Sequence, residues 1–143
     1  YGVGLDRGMT ADPTIAMKAA VLGVPFQIRL SGFMDLQYVG DVAESFIRCA
    51  LSDVPGAHVF NLAGTIVEMN DLVAIVDRLH PGAAKLISAA GPQVPVSYRM
   101  DASALDAAVP GIPKTPMEDG IRQTLELFGR LKSENRLSST LAL

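Results

Sequence analysis

The stretch Gln37-Tyr38-Val39-Gly40-Asp41-Val42-Ala43-Glu44-Ser45-Phe46-Ile47-Arg48-Cys49-Ala50-Leu51, followed by Pro55-Gly56 and His58-Val59-Phe60-Asn61-Leu62, decides the fold. From Asp41 on, Val42, Ala43, Phe46, Ile47, Ala50 and Leu51 recur at helical spacing and make one wide apolar stripe. Asp41 with Glu44 three residues later has the form of a capping box, the aspartate standing in the serine role. Residues 58–62 are mostly apolar and lie between Pro55-Gly56 and Gly64, which predicts a short strand buried on both faces, the kind a parallel sheet uses. A helix that leads through a turn into such a strand is a unit of α/β architecture.

Upstream, Asp12 is placed to cap a helix, Pro13 suits its first position, and Ile15 to Leu22 continue it until Gly23 offers a left-handed stop. Phe26, Ile28 and Leu30 then alternate with Gln27 and Arg29, as in a half-buried strand. Downstream, Leu72, Val73, Val76 and Leu79 predict a helix over 70–79, ended by Pro81-Gly82. Weaker strands are expected near 85–88 and 94–100, the second confined to an edge by Pro95, and Asp101 heads a short helix through Leu105. Thr115-Pro116-Met117-Glu118 reads as a full capping box, with Ile121, Leu125, Phe128 and Leu131 on one face of the last helix. From Ser133 the chain turns polar and is expected to fray. The order of elements is α/β, with too few parallel strands for a complete doubly wound sheet.

Composition narrows the function classes. Hydrophobic residues make up 49% and charged residues 19% of the 143, enough for one folded core. The net charge is −3 and the 12 basic residues form no cluster, so neither nucleic acid nor an anionic membrane surface is an expected partner. No apolar run approaches the ~20 residues of a membrane span. Cys49 is the single cysteine, which excludes an internal disulfide, favours a reduced cytoplasmic setting, and is expected to be buried in its helix. His58 and His80 lack partners at metal-ligand spacing, and no Gly-x-Ser-x-Gly elbow is present. Gly2-x-Gly4-x-x-x-Gly8 is not a phosphate loop, because no strand precedes it and Arg7 sits where the third glycine would fall.

Four local patterns together resemble the extended short-chain dehydrogenase/reductases, the NAD-dependent epimerase/dehydratase family. Tyr1-Gly2 is similar to the tyrosine-glycine that ends a late Rossmann strand. Gln37-Tyr38-Val39-Gly40-Asp41-Val42-Ala43 resembles the family's Tyr-Val-x-Asp-Val-Ala segment, and Phe60-Asn61-Leu62 with Gly64 its Phe-Asn-Ile-Gly strand. Thr115-Pro116-Met117-Glu118-Asp119-Gly120-Ile121 is similar to its closing helix start. The resemblance implies the C-terminal portion of a Rossmann-type NAD(P)-binding fold with the smaller substrate-binding domain, the N-terminal Rossmann core missing. Residues 1–143 would be mostly substrate domain, with the last Rossmann strand at about 57–63 and a frayed tail over 133–143.

The resemblance further implies NAD or NADP as cofactor of the full-length parent, a small-molecule substrate, and a homodimer of that parent as the assembly open to it. Tyr1, Gly2 and Val3 would border the cofactor. Arg7, Arg29 and Tyr38 are the candidate substrate-binding residues, with a solvated loop for Arg7, a solvated strand face for Arg29 and packing for Tyr38 as the structural alternatives. The family's glycine-rich loop and Tyr-x-x-x-Lys pair are absent, since no tyrosine here has lysine four residues later, so no catalytic residue is assigned and the piece alone should be inactive. Nucleotide-sugar members commonly carry an arginine just before the aspartate of an Asp-Tyr-Ile-His-Val segment, where this chain has Met34 before Asp35. Ala89-Ala90-Gly91-Pro92 likewise occupies the place of a later arginine. The pattern therefore supports the scaffold, and chemistry at a hydroxyl-bearing carbon of a small sugar-like or polar substrate, more than a diphosphate-linked one. The alternative is a non-catalytic dinucleotide-sensing module on the same scaffold.

Overall fold

The computed structural model describes residues 1–4, 7–8 and 10–141. Helix α1 (Asp12–Leu22) has no polar face: Ala11 and every residue from Asp12 to Val21 are buried. A helix of this kind must be sheathed on all sides. Strand β1 (Phe26–Ile28) and helix α5 (Met117–Ser133) pack on it, and β4 (Ile87–Ala89) completes one wall. Gly23 ends α1 as expected, at φ 79°, its N–H reaching the carbonyls of Ala19 and Ala20. Asp12 does not cap the helix. It lies inside the first turn, where burial has given its carboxylate to Arg29 instead.

Two small sheets follow. β1 pairs in parallel with β4, Phe26 opposite Ile87 and Ile28 opposite Ala89. The expected strand at 85–88 is thus shifted, because Ala83–Lys85 coils into a 3₁₀ turn first. The expected strand at 94–100 reduces to a single bridge just before it, Ser31 with Gln93. β2 (Phe33–Leu36) pairs antiparallel with β3 (Thr65–Glu68), a pairing that the sequence reading did not anticipate. Helix α2 (Val39–Leu51) begins two residues before Asp41, with Tyr38 as its N-cap.

Residues 57–63 form no strand. A two-faced apolar strand exists only between hydrogen-bonding neighbours, and the described residues supply none. Val59 is 99% exposed. Helix α2 shares that surface: Phe46 and Leu51 are 72% and 80% exposed, Ile47 is exposed, and Cys49 is exposed rather than buried.

Helix α3 (Met69–Leu79) is covered instead, with Leu72 and Val76 each 1% exposed, and Glu68 accepts a capping hydrogen bond from the Asn70 amide at 2.7 Å. A short α4 (Ser103–Ala108) contributes Leu105 to a second, smaller core with Val109 and Ile112. The capping box expected at Thr115 does not form. Pro116 is the N-cap of α5, and the Thr115 hydroxyl turns to Asp41. Nor does the tail fray up to Leu141. Leu137 and Leu141 pack on the main core, and Lys18 Nζ donates to the Thr140 carbonyl at 2.8 Å.

Gly120, on the buried face of α5, lies against the Tyr1 hydroxyl and ring, so a Cβ there overlaps a rigid aromatic, whereas Gly129 on the same helix has open space. Gly120→Ala is expected to lower stability by about 1–3 kcal/mol through overpacking. Gly129→Ala should raise it by roughly 0.5–1 kcal/mol through helix propensity. Urea denaturation midpoints of the two variants, measured beside the parent chain, check both signs.

Candidate functional site

Residue 1 is laid against the turn into α2 by two backbone hydrogen bonds: its N–H donates to the Gln37 carbonyl and its own carbonyl accepts from the Val39 amide at 2.8 Å. Gly2 follows at φ 132°, its amide donating to Thr14 Oγ1 at 3.2 Å, and a Cβ there would fall on the Val39 side chain. Only glycine passes this point. The Tyr1 ring is buried beside that of Tyr38, centroids 5.6 Å apart, and its hydroxyl donates to the Met117 carbonyl. Burial, then the charge of Asp41 and the neighbouring Tyr38, push the Tyr1 phenol up to about 12. At neutral pH it is a fixed hydrogen-bond donor.

Around this pair lies a cleft of about 190 Å³ lined by Gln37, Tyr38, Asp41, Gly64, Lys114 and Thr115 among others. Asp41 sets one wall. Its carboxylate accepts from the Thr115 amide at 2.7 Å and the Thr115 hydroxyl at 2.6 Å, tying the start of α2 to the approach to α5. Asp35, outside the lining, holds the Gly64 wall by accepting from its amide at 2.7 Å, and Gln37 donates to the Leu62 carbonyl. Gly64 sits so close to the Leu36 carbonyl that no Cβ fits. Burial raises the Asp35 carboxyl above its ordinary value, the Gly64 hydrogen bond offsetting only part of this.

The sequence candidates separate into groups. Tyr1 and Tyr38 meet at the cleft, Gly2 packs behind it, and the Tyr38 hydroxyl donates to Gln123 on α5 at 3.0 Å. Val3 lines a different hollow, against Phe128 and Leu137. Arg7 is exposed in a bend. Arg29 is engaged with Asp12: its Nε and Nη2 donate to the two carboxylate oxygens at 2.9 and 2.6 Å, and its amide adds a third bond at 2.8 Å. The sequence reading missed Asp12 as that partner, Gln37 and Thr115 as cleft-lining residues, and Asp35 as the support of Gly64. The one local signal was the density of hydrogen-bonding side chains between Asp35 and Asp41.

At the level of sequence, no protein-family model and no curated protein matches the chain. Its structure is similar to several solved enzymes. UDP-glucose 4-epimerase from Thermotoga maritima, solved with UDP-glucose, is 20% identical with a TM-score of 0.72 over 92% of this chain and 44% of that one. A dTDP-glucose 4,6-dehydratase from Bacillus anthracis, in complex with NAD, is 17% identical with a TM-score of 0.71 over 85% of this chain and 40% of that one. UDP-glucuronic acid 4-epimerase from Bacillus cereus, with UDP-glucuronic acid and NAD, is 15% identical with a TM-score of 0.69 over 92% and 43%. The fold is that of a part of these NAD-dependent epimerases and dehydratases, and the chain spans less than half their length.

The Asp12–Arg29 pair gives a pH test. Burial pushes the Asp12 carboxyl up, but the hydrogen bonds and charge of Arg29 together outweigh it and hold the carboxyl below its ordinary value. A depressed carboxyl contributes stability that is full above the unfolded value of about 3.9 and is lost as pH falls through the lower folded value. Asp12→Asn is therefore expected to lower the urea midpoint at pH 7, with the gap to the parent chain closing below about pH 4. Midpoints measured at a series of pH values check it.

Proposed function

We propose that this chain is the C-terminal, substrate-domain part of an NAD(P)-dependent epimerase/dehydratase or related oxidoreductase that acts at a hydroxyl-bearing carbon of a small sugar-like or polar substrate. The observation that carries the reading is the fold likeness, which extends over most of this chain and less than half of the matched enzymes. Two features of the surface support it. The apolar face of α2 and the unpaired segment 57–63 together present a helix and an apolar edge, which is the complement of a parallel sheet with an open side. We assign residues 57–63 as the strand that joins the dinucleotide-binding sheet of the full-length parent, with a reduced cytoplasm as its compartment.

The described residues do not fit a whole dinucleotide. A pyrophosphate needs a glycine-rich turn at a helix N-terminus, free of negative charge. The first turn of α1 instead carries Asp12, already committed to Arg29. Tyr1 and Gly2 can border such a cofactor, but the phosphate cradle and the proton-transfer residues belong elsewhere in the parent. What this chain's cleft contributes is shape. The buried Tyr1 phenol, pushed up to about 12, stays protonated at neutral pH.

Two outcomes follow. The chain mixed with NAD or NADP and a panel of sugars and hydroxy acids should show no reduction of the nicotinamide by absorbance; reproducible turnover free of host dehydrogenase would overturn the proposal. The chain should also self-associate in size-exclusion chromatography with light scattering, since each large apolar side chain left in water forgoes about 1.5–3 kcal/mol. Phe46→Lys combined with Leu51→Lys is expected to shift it toward monomer. A monomeric parent chain would show that this face needs no cover.

A further inference from the structure

The hollow that Val3 lines lies between α1, the end of α5 and the tail, and encloses about 260 Å³. Its walls are mostly apolar: Ile15 from α1, Phe128 and Leu131 from α5, and Leu137 from the tail. Thr14 and Lys18, one turn apart on α1 and therefore on one face of it, supply a polar side. Lys18 is the unusual member. It is 7% exposed, yet among the described residues no carboxylate stands within ion-pair distance of it. The same helix treats its other buried charge differently, since Asp12 holds the Arg29 guanidinium through both carboxylate oxygens.

What surrounds the ammonium is a set of donors. Lys18 Nζ spends one N–H on the Thr140 carbonyl at 2.8 Å and has others to spare. Thr14, 1% exposed, accepts from the Gly2 amide at 3.2 Å, and the Ser138 hydroxyl accepts from the Thr140 amide at 3.2 Å. Each hydroxyl keeps its own proton, for which the described residues offer no acceptor. Arg136 stands at the mouth, its guanidinium donating to Glu134, which is not among the lining residues. No described residue of the lining carries a negative charge. A charge taken from water calls for a counter-charge, and donors without acceptors call for an anion.

We propose that this hollow binds a small monocarboxylate with a compact apolar body, the carboxylate on Lys18 and the Thr14 and Ser138 hydroxyls, the body against Ile15, Phe128 and Leu131. Apolar walls with a few convergent polar groups are the usual make-up of a small-ligand site. The walls select against a bare inorganic anion, which would leave them facing water. The single buried cation selects against a multiply charged one, whose further charge would be desolvated without a partner. The hollow is separate from the cleft beside Tyr38, since no residue lines both. Its chemistry is independent of the function proposed above.

The experiment is a ligand-observed saturation-transfer titration of the intact chain with phenylacetate, its neutral isostere phenylacetamide, and acetate, which has the charge without the body. Phenylacetate is expected to bind with Kd on the order of 1 mM or tighter, and the other two at least about tenfold more weakly. Lys18→Met keeps the length and apolar stem of the side chain, a replacement that buried charges tolerate. It should weaken phenylacetate about tenfold or more and leave phenylacetamide unchanged. Arg136→Gln, on an exposed side chain that the fold does not need, should weaken phenylacetate by about threefold. Phenylacetate should also raise the urea midpoint of the parent chain and not that of Lys18→Met, which separates lost binding from lost fold. The proposal is overturned if phenylacetate does not bind, if phenylacetamide or acetate binds as tightly, or if Lys18→Met leaves the affinity unchanged. Nicotinamide turnover does not enter this readout, so turnover by the chain alone would overturn the enzyme-part reading and leave the hollow standing.

Discussion

The structure is organised around a helix that has nowhere to show water a face. With residues 11–21 all buried, α1 can exist only if β1, β4 and α5 surround it. That burial dictates the polar contacts as well, because a charge taken from water must find a partner. Asp12, at 1% exposure, takes three hydrogen bonds from Arg29 and so fixes the end of β1 to the start of α1. Lys18, at 7%, reaches the Thr140 carbonyl, and Lys132 donates to the Val21 carbonyl near the helix end at 2.6 Å. The tail is therefore part of the sheath, and its polar sequence does not predict its position.

Helix α2 obeys the opposite rule. Its apolar stripe is as regular as that of α3, yet α3 buries Leu72 and Val76 while α2 leaves Phe46, Ile47 and Leu51 in solvent. Nothing local distinguishes the two helices. The difference lies in what the fold brings to each: α3 meets β3, β4 and α5, whereas α2 is held at its first turn by Asp41 and Thr115 and touches little along the rest of its stripe. The same shortage of neighbours leaves residues 57–63 without a ladder. An uncovered helix face beside an unpaired apolar segment is one surface, and a partner that covers one meets the other.

This contrast explains how far the sequence could be read. End signals found α1, and periodicity found α3 and α5, nearly to the residue, because helical hydrogen bonds are local and the apolar stripes of α3 and α5 are clean. Strands were the weak point. In β2 an outward phenylalanine hides the alternation that Met34 and Leu36 carry, and β3 becomes a strand only by pairing with it. Residues 58–62 have the composition of a buried strand, but pairing is not a property of composition. The caps failed in a common way: Asp12, Asp41 and Thr115 are cap-type residues near helix starts, and each spends its side chain on a distant partner instead. Tyr1 and Gly2, named beside a cofactor, and Tyr38, named beside a substrate, come together in the fold, the two rings 5.6 Å apart. Asp35 and Gln37 were not, because their roles depend on the Gly64 amide and the Leu62 carbonyl, which only the folded chain brings near.

The cleft beside Tyr38 and a groove of about 370 Å³ beside Phe33 and Tyr98 lie on one continuous run of backbone. Leu36 and Tyr38 belong to the cleft, Phe33 to the groove, and Gln37 borders both. Gly64 closes onto Asp35 at the crossing, and the absence of room for a Cβ there keeps the two walls in register. Small movements of this hydrogen bond would therefore be felt on both sides at once. A half-buried carboxylate whose ionised form is already disfavoured by burial is sensitive to any group that approaches its free oxygen. The Asp35–Gly64 hydrogen bond thus fixes the wall of the cleft from one side and that of the groove from the other.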